Sequence, residues 1–230
     1  MSDAIRSEAL FREETVTRAD IEARGGDGPL SFLDCDLAGA DLARLDLREA
    51  RFERCDLRGV RLDGAELVGS RLVGCRGAQL SLVGGDLSDA LISGGDFSNA
   101  TFRRATLTSA RFERCKLMGA DFSDAGTMGL GFEEVVLAYA KLPGMSFRKA
   151  RLHRVDLAEA DLRKCDFRMA EFDDSSLRNA MLDGCRFEGA DLRGADVTGI
   201  RLMDASLFKG ATISRAQAAD LLSQLGLNVL

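Results

Sequence analysis

Residues 37–67 read LAGADLARLDLREARFERCDLRGVRLDGAEL, and every fifth residue of this stretch is leucine or phenylalanine. The same spacing continues without an insertion from Phe32 to Leu207. Among the 36 positions of this register, only Gly77 and Thr127 are not large and apolar. Two residues before each position lies a second column, which is small or apolar and contains no charge. The other three columns are mostly Asp, Arg, Glu, Ser and Gly.

A period of five fits neither the 3.6-residue turn of an α-helix nor the two-residue alternation of a flat β-strand. A backbone that turns a corner every five residues does keep Leu37, Leu42 and Leu47 on one inner surface. Four such sides close a square coil, with the large residue at its centre and the small residue near a corner. Coils stack at about 4.8 Å, so the 36 sides predict nine coils and a rod about 43 Å long. The sequence therefore predicts an all-β solenoid.

Several sides share the unit Ala-Asp-Leu or a close variant of it. These units lie at residues 40–42, 65–67, 120–122, 160–162 and 190–192. Because of these units and their unbroken register over about 180 of 230 residues, the chain resembles the pentapeptide-repeat proteins. The resemblance implies a right-handed quadrilateral β-helix of about nine coils with a short C-terminal capping helix.

The repeat divides the chain into three parts. Residues 1–29 lack the five-residue register and predict an N-terminal cap or arm, whereas residues 30–210 predict the β-helix. Residues 211–230 predict a C-terminal helix with an apolar tail, since Ser214 and Gln217 form a capping box and Gly226 fits the helix end.

This C-terminal part contains more apolar residues than the cover of one coil needs. We predict that they form a dimer interface of Leu221, Leu222, Leu225, Leu227, Val229 and Leu230. Pairing of two such ends gives a homodimer with twofold symmetry. A monomeric cap is the alternative interpretation.

Composition limits the classes of function. A net charge of −6 argues against a nucleic-acid binder that neutralises phosphates. No apolar run reaches about 18 residues, so we expect no membrane-spanning helix. The first thirty residues do not resemble a secretory signal, and we therefore expect a cytoplasmic protein.

Residues that could carry out chemistry are few. His153 is the only histidine, and its outward position predicts a solvated side chain. The six cysteines lie in the small-residue column without a CxxC motif, which indicates buried fillers rather than metal ligands or disulfides. No phosphate loop, nucleophile elbow or zinc-binding motif is present. We therefore predict no catalytic residue, no cofactor and no metal.

One side of the predicted coil has more carboxylates than bases. These candidate binding carboxylates are Asp36, Asp56, Asp96, Asp156, Glu159 and Asp196. Four bases lie on the same side, so its net charge is only −2: Arg58, Arg76, Lys116 and Arg178. Mixed charge of this kind is also usual on an ordinary solvated surface.

Two positions interrupt the inward ladder. Gly77, with Gly85 and Gly95 nearby, predicts a backbone irregularity, and Thr127 lies in a second glycine-rich stretch. Each interruption is either a bend or docking site, or a local departure from the repeat sequence that neighbouring coils tolerate.

Residues 214–230 also resemble the C-terminal helix and tail of pentapeptide-repeat proteins that protect DNA gyrase, of the Qnr and mycobacterial fluoroquinolone-resistance types. That resemblance implies a non-enzymatic, dimeric DNA mimic that binds DNA gyrase or topoisomerase IV. The expected result is resistance to quinolones or to a topoisomerase-poisoning natural product. The unbroken register favours the plain-rod type over the loop-bearing Qnr type. A structural or scaffolding β-helix with another protein partner is the alternative.

Overall fold

The computed structural model describes residues 9–25, 28–200, 205–223 and 227–228. The chain divides into two compact units, Met1–Gly131 and Phe132–Leu230, and each is a stack of square coils. Counted over both units, it makes about nine turns of β-solenoid and includes a short C-terminal helix. The predicted fold class is therefore confirmed.

The first unit contains one parallel sheet on one side of its coils. Its strands are β1 (Ala9–Arg12), β2 (Leu30–Leu33), β3 (Arg51–Glu53), β4 (Arg71–Val73), β5 (Leu91–Ser93) and β6 (Arg111–Glu113). Each strand pairs with the next strand along the chain. From β2 onward the register advances by one twenty-residue coil, as in Phe32 opposite Phe52. Twenty residues per coil is the value that four five-residue sides require.

The other three sides turn tightly at the corners. In a representative turn, the N–H of Ala40 donates to the carbonyl of Leu37 (2.9 Å), and Gly39 between them has a φ of 69°. A positive φ recurs two residues after the inward residue of most sides, and non-glycine residues often occupy the position. The carbonyls that remain accept N–H groups from the adjacent coil, which satisfies the backbone of these short sides.

Large apolar residues form stacks inside each unit, as the five-residue period predicts. In the first unit the ring of Phe32 stacks on Phe11 and on Phe52, with centroids 4.9 and 4.6 Å apart. In the second unit Phe147, Phe167 and Phe187 stack at 4.9 Å intervals. These ladders bury the apolar surface of every side and supply the dispersion contacts of the core.

The N-terminal part follows the register more closely than the sequence analysis predicted. Phe11, Val16 and Ile21 lie five residues apart and are all buried, and β1 pairs in parallel with β2. Helix α1 (Arg18–Arg24) begins with a capping box of Thr17 and Asp20. Residues 9–25 therefore add a further layer to the solenoid and cover its end.

Arg24 completes this N-terminal cover. Its guanidinium lies 3.8 Å from the centroid of the Phe11 ring, which is the last ring of the aromatic stack. The same group donates to the carbonyl of Leu10 (2.8 Å) and pairs with Glu14. An arginine on the open face of the stack both covers the ring and satisfies a carbonyl at the solenoid end.

The second unit repeats the same architecture. Strand β7 (Gly131–Glu133) starts at the last residue of the first unit, and β8 (Arg151–His153) and β9 (Glu171–Asp173) continue the coils in parallel register. Strands β10 (Ser175–Ser176) and β11 (Ala195–Asp196) form a small parallel pair. A 3-10 helix (Ala205–Phe208) and helix α2 (Arg215–Ser223) end the described chain.

The prediction of an unbroken register to Leu207 is wrong by one residue. The ring of Phe208 stacks on Phe187 at 4.9 Å, and Thr212 pairs with Asp191, so both offsets are 21 residues rather than 20. The extra residue enters after Ile200. Because Leu207 and Phe208 are both apolar, the sequence pattern alone does not distinguish the inward residue.

The predicted irregularity at Gly77 is also wrong. Gly77 keeps the regular hydrogen bonds, donating to Asp96 (2.7 Å) and accepting from Leu80 (3.1 Å). The ring of Phe97, one coil later, fills the missing side-chain volume, because a Cβ on Gly77 would overlap that ring and a Cβ on Gly95 would lie 2.5 Å from it. At Thr127 the turn is regular as well, with Leu130 donating to its carbonyl at 3.2 Å.

The six cysteines are free thiols and all are buried. Every cysteine except Cys35 donates to the carbonyl of an inward residue in the preceding coil. Cys55 donates in this way to Phe32 (3.3 Å), and Cys185 donates to Leu162 (2.9 Å). Ser175 makes the equivalent bond to Leu152 (3.0 Å). A small side chain with a weak donor therefore suits this column.

Candidate interaction surface

Groups that could catalyse a reaction do not converge in the described part of the chain. The Nδ1 atom of His153 lies 2.8 Å from a carboxylate oxygen of Asp173, so this histidine is paired rather than simply solvated. Burial raises the pKa of the Cys115 thiol, which disfavours the reactive thiolate. Within the described ranges, no group of three or more His, Cys, Asp or Glu side chains could hold a metal ion. None of the described helices is long and apolar enough to cross a membrane.

The aspartates that precede inward residues have a structural role that the sequence analysis missed. Their carboxylates accept the backbone N–H two residues later, as in Asp36 to Ala38 (2.9 Å), Asp156 to Ala158 (3.0 Å) and Asp196 to Thr198 (3.0 Å). This bond satisfies an N–H at the corner and holds the turn. The Ala-Asp-Leu unit therefore has an aspartate because the corner needs an acceptor.

The six predicted binding carboxylates differ in accessibility. Asp36 and Asp196 are exposed, whereas Asp96, Asp156 and Glu159 are partly exposed. Asp56 is only 4% exposed and lies between Arg58 (2.6 Å) and Arg76 (3.2 Å). The hydrogen bond from Arg58 lowers the pKa of Asp56, so this carboxylate is ionised but neutralised within the chain.

Five aspartates are held by an arginine two residues later in a bidentate fork. The pairs are Asp46–Arg48, Asp56–Arg58, Asp161–Arg163, Asp166–Arg168 and Asp191–Arg193. In each fork Nε and Nη2 of the arginine donate to the two carboxylate oxygens, as in Asp166 with distances of 2.8 and 2.6 Å. Bidentate geometry strengthens each pair, and the arginine offsets the charge of its aspartate. The signal in the sequence is the spacing Asp-x-Arg.

We expect Asp166→Asn to remove stability at neutral pH but not in strong acid. Arg168, with Arg186 beside it, lowers the pKa of Asp166 to about 2. A lowered folded-state pKa contributes stability above the unfolded value near 4, and that stability is lost as the pH falls from about 4 to 2. Urea unfolding should show a deficit of about 1–2 kcal/mol for the variant at pH 7 that shrinks towards zero at pH 2.

The control for this prediction is Asp183→Asn. Asp183 is exposed, and the described part of the chain contains no ion pair to it. Its substitution should change stability by less than about 0.5 kcal/mol at either pH. An equal pH dependence of the two deficits would contradict the role assigned to the fork.

A second carboxylate row lies on another side of the first unit, and the sequence analysis did not select it. Asp46, Glu66 and Asp86 are paired in register on three successive coils. Glu49 and Asp89 are exposed on the same side, and Arg48 is its one base between residues 46 and 89. Like charges on adjacent rungs repel each other, and only Arg48 offsets them here. Counting charge over the whole chain hid this row, because the positions of the same sequence register in the second unit, between residues 146 and 189, are rich in arginine and lysine.

At the C-terminal end, helix α2 covers the last coil as predicted. The N–H of Gln217 donates to the Ser214 hydroxyl (3.2 Å), and the amide oxygen of Gln217 accepts the Ser214 N–H (2.7 Å). The buried side-chain amide also donates to the carbonyls of Leu192 and Ala195, both at 2.7 Å. Gln217 therefore completes the capping box at the start of the helix and satisfies open carbonyls of the coil beneath it.

The predicted dimer residues are divided between the interior and the surface. Leu221 is buried within its own chain, whereas Leu222 is 37% and Leu227 is 53% exposed. Leu225, Val229 and Leu230 lie outside the described residues. An apolar cavity of about 240 Å³ lies beside α2 and is lined by residues that include Val197, Phe208 and Leu222. Leu222 and Leu227 are therefore the described leucines that remain available to a partner.

Comparison with known proteins identifies relatives of this fold. A trypsin-treated form of QnrB1, a plasmid-mediated fluoroquinolone resistance protein, has a TM-score of 0.73 at 21% identity and covers 85% of this chain and 97% of its own. A second trypsin-treated variant of QnrB1 has a TM-score of 0.55 at 20% identity, covering 97% and 99%. HetL from the cyanobacterium Nostoc, a pentapeptide-repeat protein involved in heterocyst differentiation regulation, has a TM-score of 0.34 at 24% identity, covering 83% and 86%.

The two likenesses to QnrB1, at about one-fifth identity, establish the fold alone. No curated protein sequence matches the chain. The family model for pentapeptide repeats does match, in eight copies, over residues 35–74, 86–124, 132–168 and 170–207. Those segments cover well over half of the chain and agree with the coils described above. The chain therefore belongs to the pentapeptide-repeat family.

Proposed function

We propose that this chain is a non-enzymatic DNA mimic that binds a type II topoisomerase, DNA gyrase or topoisomerase IV, in the cytoplasm. The observation that carries the proposal is the regular array of carboxylates at the coil repeat, most clearly Asp46, Glu66 and Asp86. A linear array of fixed negative charges on a regular scaffold is complementary to a surface that binds a phosphate backbone. The fold likeness to QnrB1, a fluoroquinolone resistance protein, agrees with this target.

Homodimerisation through the C-terminal end is part of the proposal. A type II topoisomerase binds DNA across a twofold axis, and a single chain of this kind has no such axis. Two chains paired through Leu222 and Leu227 would supply the symmetry and double the length. The exposure of both leucines and the apolar cavity that Leu222 lines support the pairing.

The resulting activity would be tolerance to quinolones or to a topoisomerase-poisoning natural product. The protein would compete with DNA for the enzyme, so that fewer drug-stabilised cleavage complexes form. Because carboxylates replace phosphates, binding should weaken as the salt concentration rises above about 0.1 M.

A scaffolding β-helix with another protein partner is the second candidate function. The arginine forks favour it, because they neutralise five carboxylates within the chain, Asp46 of the proposed array among them, and leave fewer for a topoisomerase. The two candidates differ in whether the remaining carboxylates determine binding.

The test is quinolone protection and supercoiling by purified gyrase and topoisomerase IV. We expect Asp46→Asn with Glu66→Gln and Asp86→Asn to lose about tenfold or more in apparent affinity, as expected when several interfacial charges are removed. Asparagine retains the side-chain oxygen that holds the turn, so the substitutions remove charge with little effect on the fold. The parallel variant Asp36→Asn with Asp96→Asn and Asp196→Asn tests the carboxylates predicted from the sequence in the same way.

A second variant in the same experiment tests the dimer. Leu222→Asp with Leu227→Asp should give a monomer by light scattering that retains its β-type circular dichroism, because each coil is stabilised by its neighbours. This monomer should lose protection although every carboxylate of the coils remains. If the unmodified protein neither inhibits nor protects either enzyme, the scaffolding function is the better one.

A further inference from the structure

Tyr139 occupies a backbone position that does not suit it. It lies two residues after the inward Leu137, in the left-handed corner of the second unit, with a φ of 61°. Bulky residues rarely adopt a positive φ, because Cβ crowds the neighbouring carbonyl. Among the described non-glycine residues with positive φ, Tyr139 is the one aromatic, and the others are mostly charged or polar. The local backbone therefore offers no reason for a tyrosine here.

The side chain of Tyr139 also does little for the core. Its residue surface is 60% exposed, whereas every described phenylalanine except Phe208 is buried. The five-residue register directs Leu137 inward and leaves Tyr139 on the outer corner. An exposed aromatic in a strained position contributes little to folding, whereas the same ring can contribute a large contact area to an interface.

The neighbours of Tyr139 on its side of the coils are small. Ala138 and Ala158 lie on adjacent coils of this side and are almost completely buried, whereas Tyr139 beside them is exposed. An exposed aromatic side chain is typical of an interface anchor.

The charge on the same side as Tyr139 indicates the kind of partner. Asp156 pairs in register with Val136, and Glu159 occupies the position equivalent to Tyr139 on the next coil, where the N–H of Tyr139 donates to Ala158 (3.0 Å). On the described part of this side from Val136 to Gly199, three carboxylates face one arginine, Arg178. An electron-rich ring with two carboxylates on the next coil suits a guanidinium or ammonium group, through cation–π and ionic contact together.

We propose that Tyr139, with Asp156 and Glu159, is an anchor for a basic protein surface, namely an arginine or lysine of the topoisomerase's DNA-binding surface. This inference rests on the proposed function. It adds a cation–π contact from a tyrosine ring, which the phosphate backbone of DNA does not make. The partner's cation contacts the ring face, and the two carboxylates orient and neutralise it. This contact would strengthen binding to the topoisomerase, so that the protein competes with DNA although its net charge is modest.

The test uses Tyr139→Gly, because binding and stability should move in opposite directions. Glycine adopts a positive φ without crowding, so the variant should melt at the same temperature as the parent or about 2 °C higher. Its affinity for purified gyrase or topoisomerase IV should fall about tenfold, as for loss of an interface anchor. Tyr139→Phe, which retains the ring, should bind within about threefold of the parent.

Met169→Gly is the matched control. Met169 lies at the equivalent corner position on another side of the same unit, with a φ of 58° and 54% exposure. It should gain the same stability and retain full affinity. Unchanged binding by Tyr139→Gly, or an equal loss in Met169→Gly, would overturn the role of Tyr139 alone. Failure of the unmodified protein to bind either enzyme would overturn the proposed function, and the assigned partner with it.

Discussion

Replacing Phe167 with alanine should lower the free energy of unfolding of the second unit by about 3–5 kcal/mol. The ring of Phe167 is fully buried and stacks between Phe147 and Phe187, each with its centroid 4.9 Å away. It also contacts Phe172 at 5.6 Å. Alanine would leave a cavity in the middle of the stack, and the coils on either side cannot close it because their spacing is set by backbone hydrogen bonds.

Urea unfolding followed by circular dichroism would measure this loss. Lys164→Ala is the control, since Lys164 is exposed at a left-handed corner of the same coil and should change stability by no more than about 0.5 kcal/mol. Similar deficits for Phe167→Ala and Lys164→Ala would contradict the assignment of inward and outward positions.

The five-residue period was enough to predict the core, because it follows directly from the backbone geometry of the five-residue sides. Each inward residue lies twenty residues from its neighbour in the stack, and Phe32 opposite Phe52 shows that register. The period failed only where the chain departs from it by one residue. Phe11 lies 21 residues before Phe32, so the sequence analysis treated the first layer as an arm. At the other end, Phe208 replaced Leu207 for the same reason.

The interaction surface was less predictable, because it depends on pairs rather than on single residues. Counting charges on each side treated Asp56 as a surface carboxylate, whereas two arginines neutralise it in a buried position. The Asp-x-Arg spacing contains this information, but it becomes interpretable only when the corner geometry is known. Tyr139 was also missed, for a related reason. Its left-handed φ follows from its place in the turn, and the composition of the chain does not reveal it.

Restoring leucine at position 77 should destabilise the first unit, although leucine is the usual residue of this ladder. Even a Cβ at Gly77 would overlap the buried ring of Phe97, so Gly77→Leu should cost about 3 kcal/mol or more through overpacking. The ring has no alternative site, because a Cβ on Gly95 would already lie 2.5 Å from it on the other edge. Gly77 and Phe97 therefore form a size-compensated pair on successive coils.

The double variant Gly77→Leu with Phe97→Leu tests this compensation. It places leucine on both coils, as Leu37 and Leu57 already are in the same column, and it removes the overlap. We expect it to recover at least about 2 kcal/mol of the loss in Gly77→Leu, a coupling energy that a double-mutant cycle of urea unfolding measures directly. Strictly additive effects of the two substitutions would show that the volume at Gly77 is not filled by Phe97. In that case the gap would have to be explained by the backbone rather than by its neighbour.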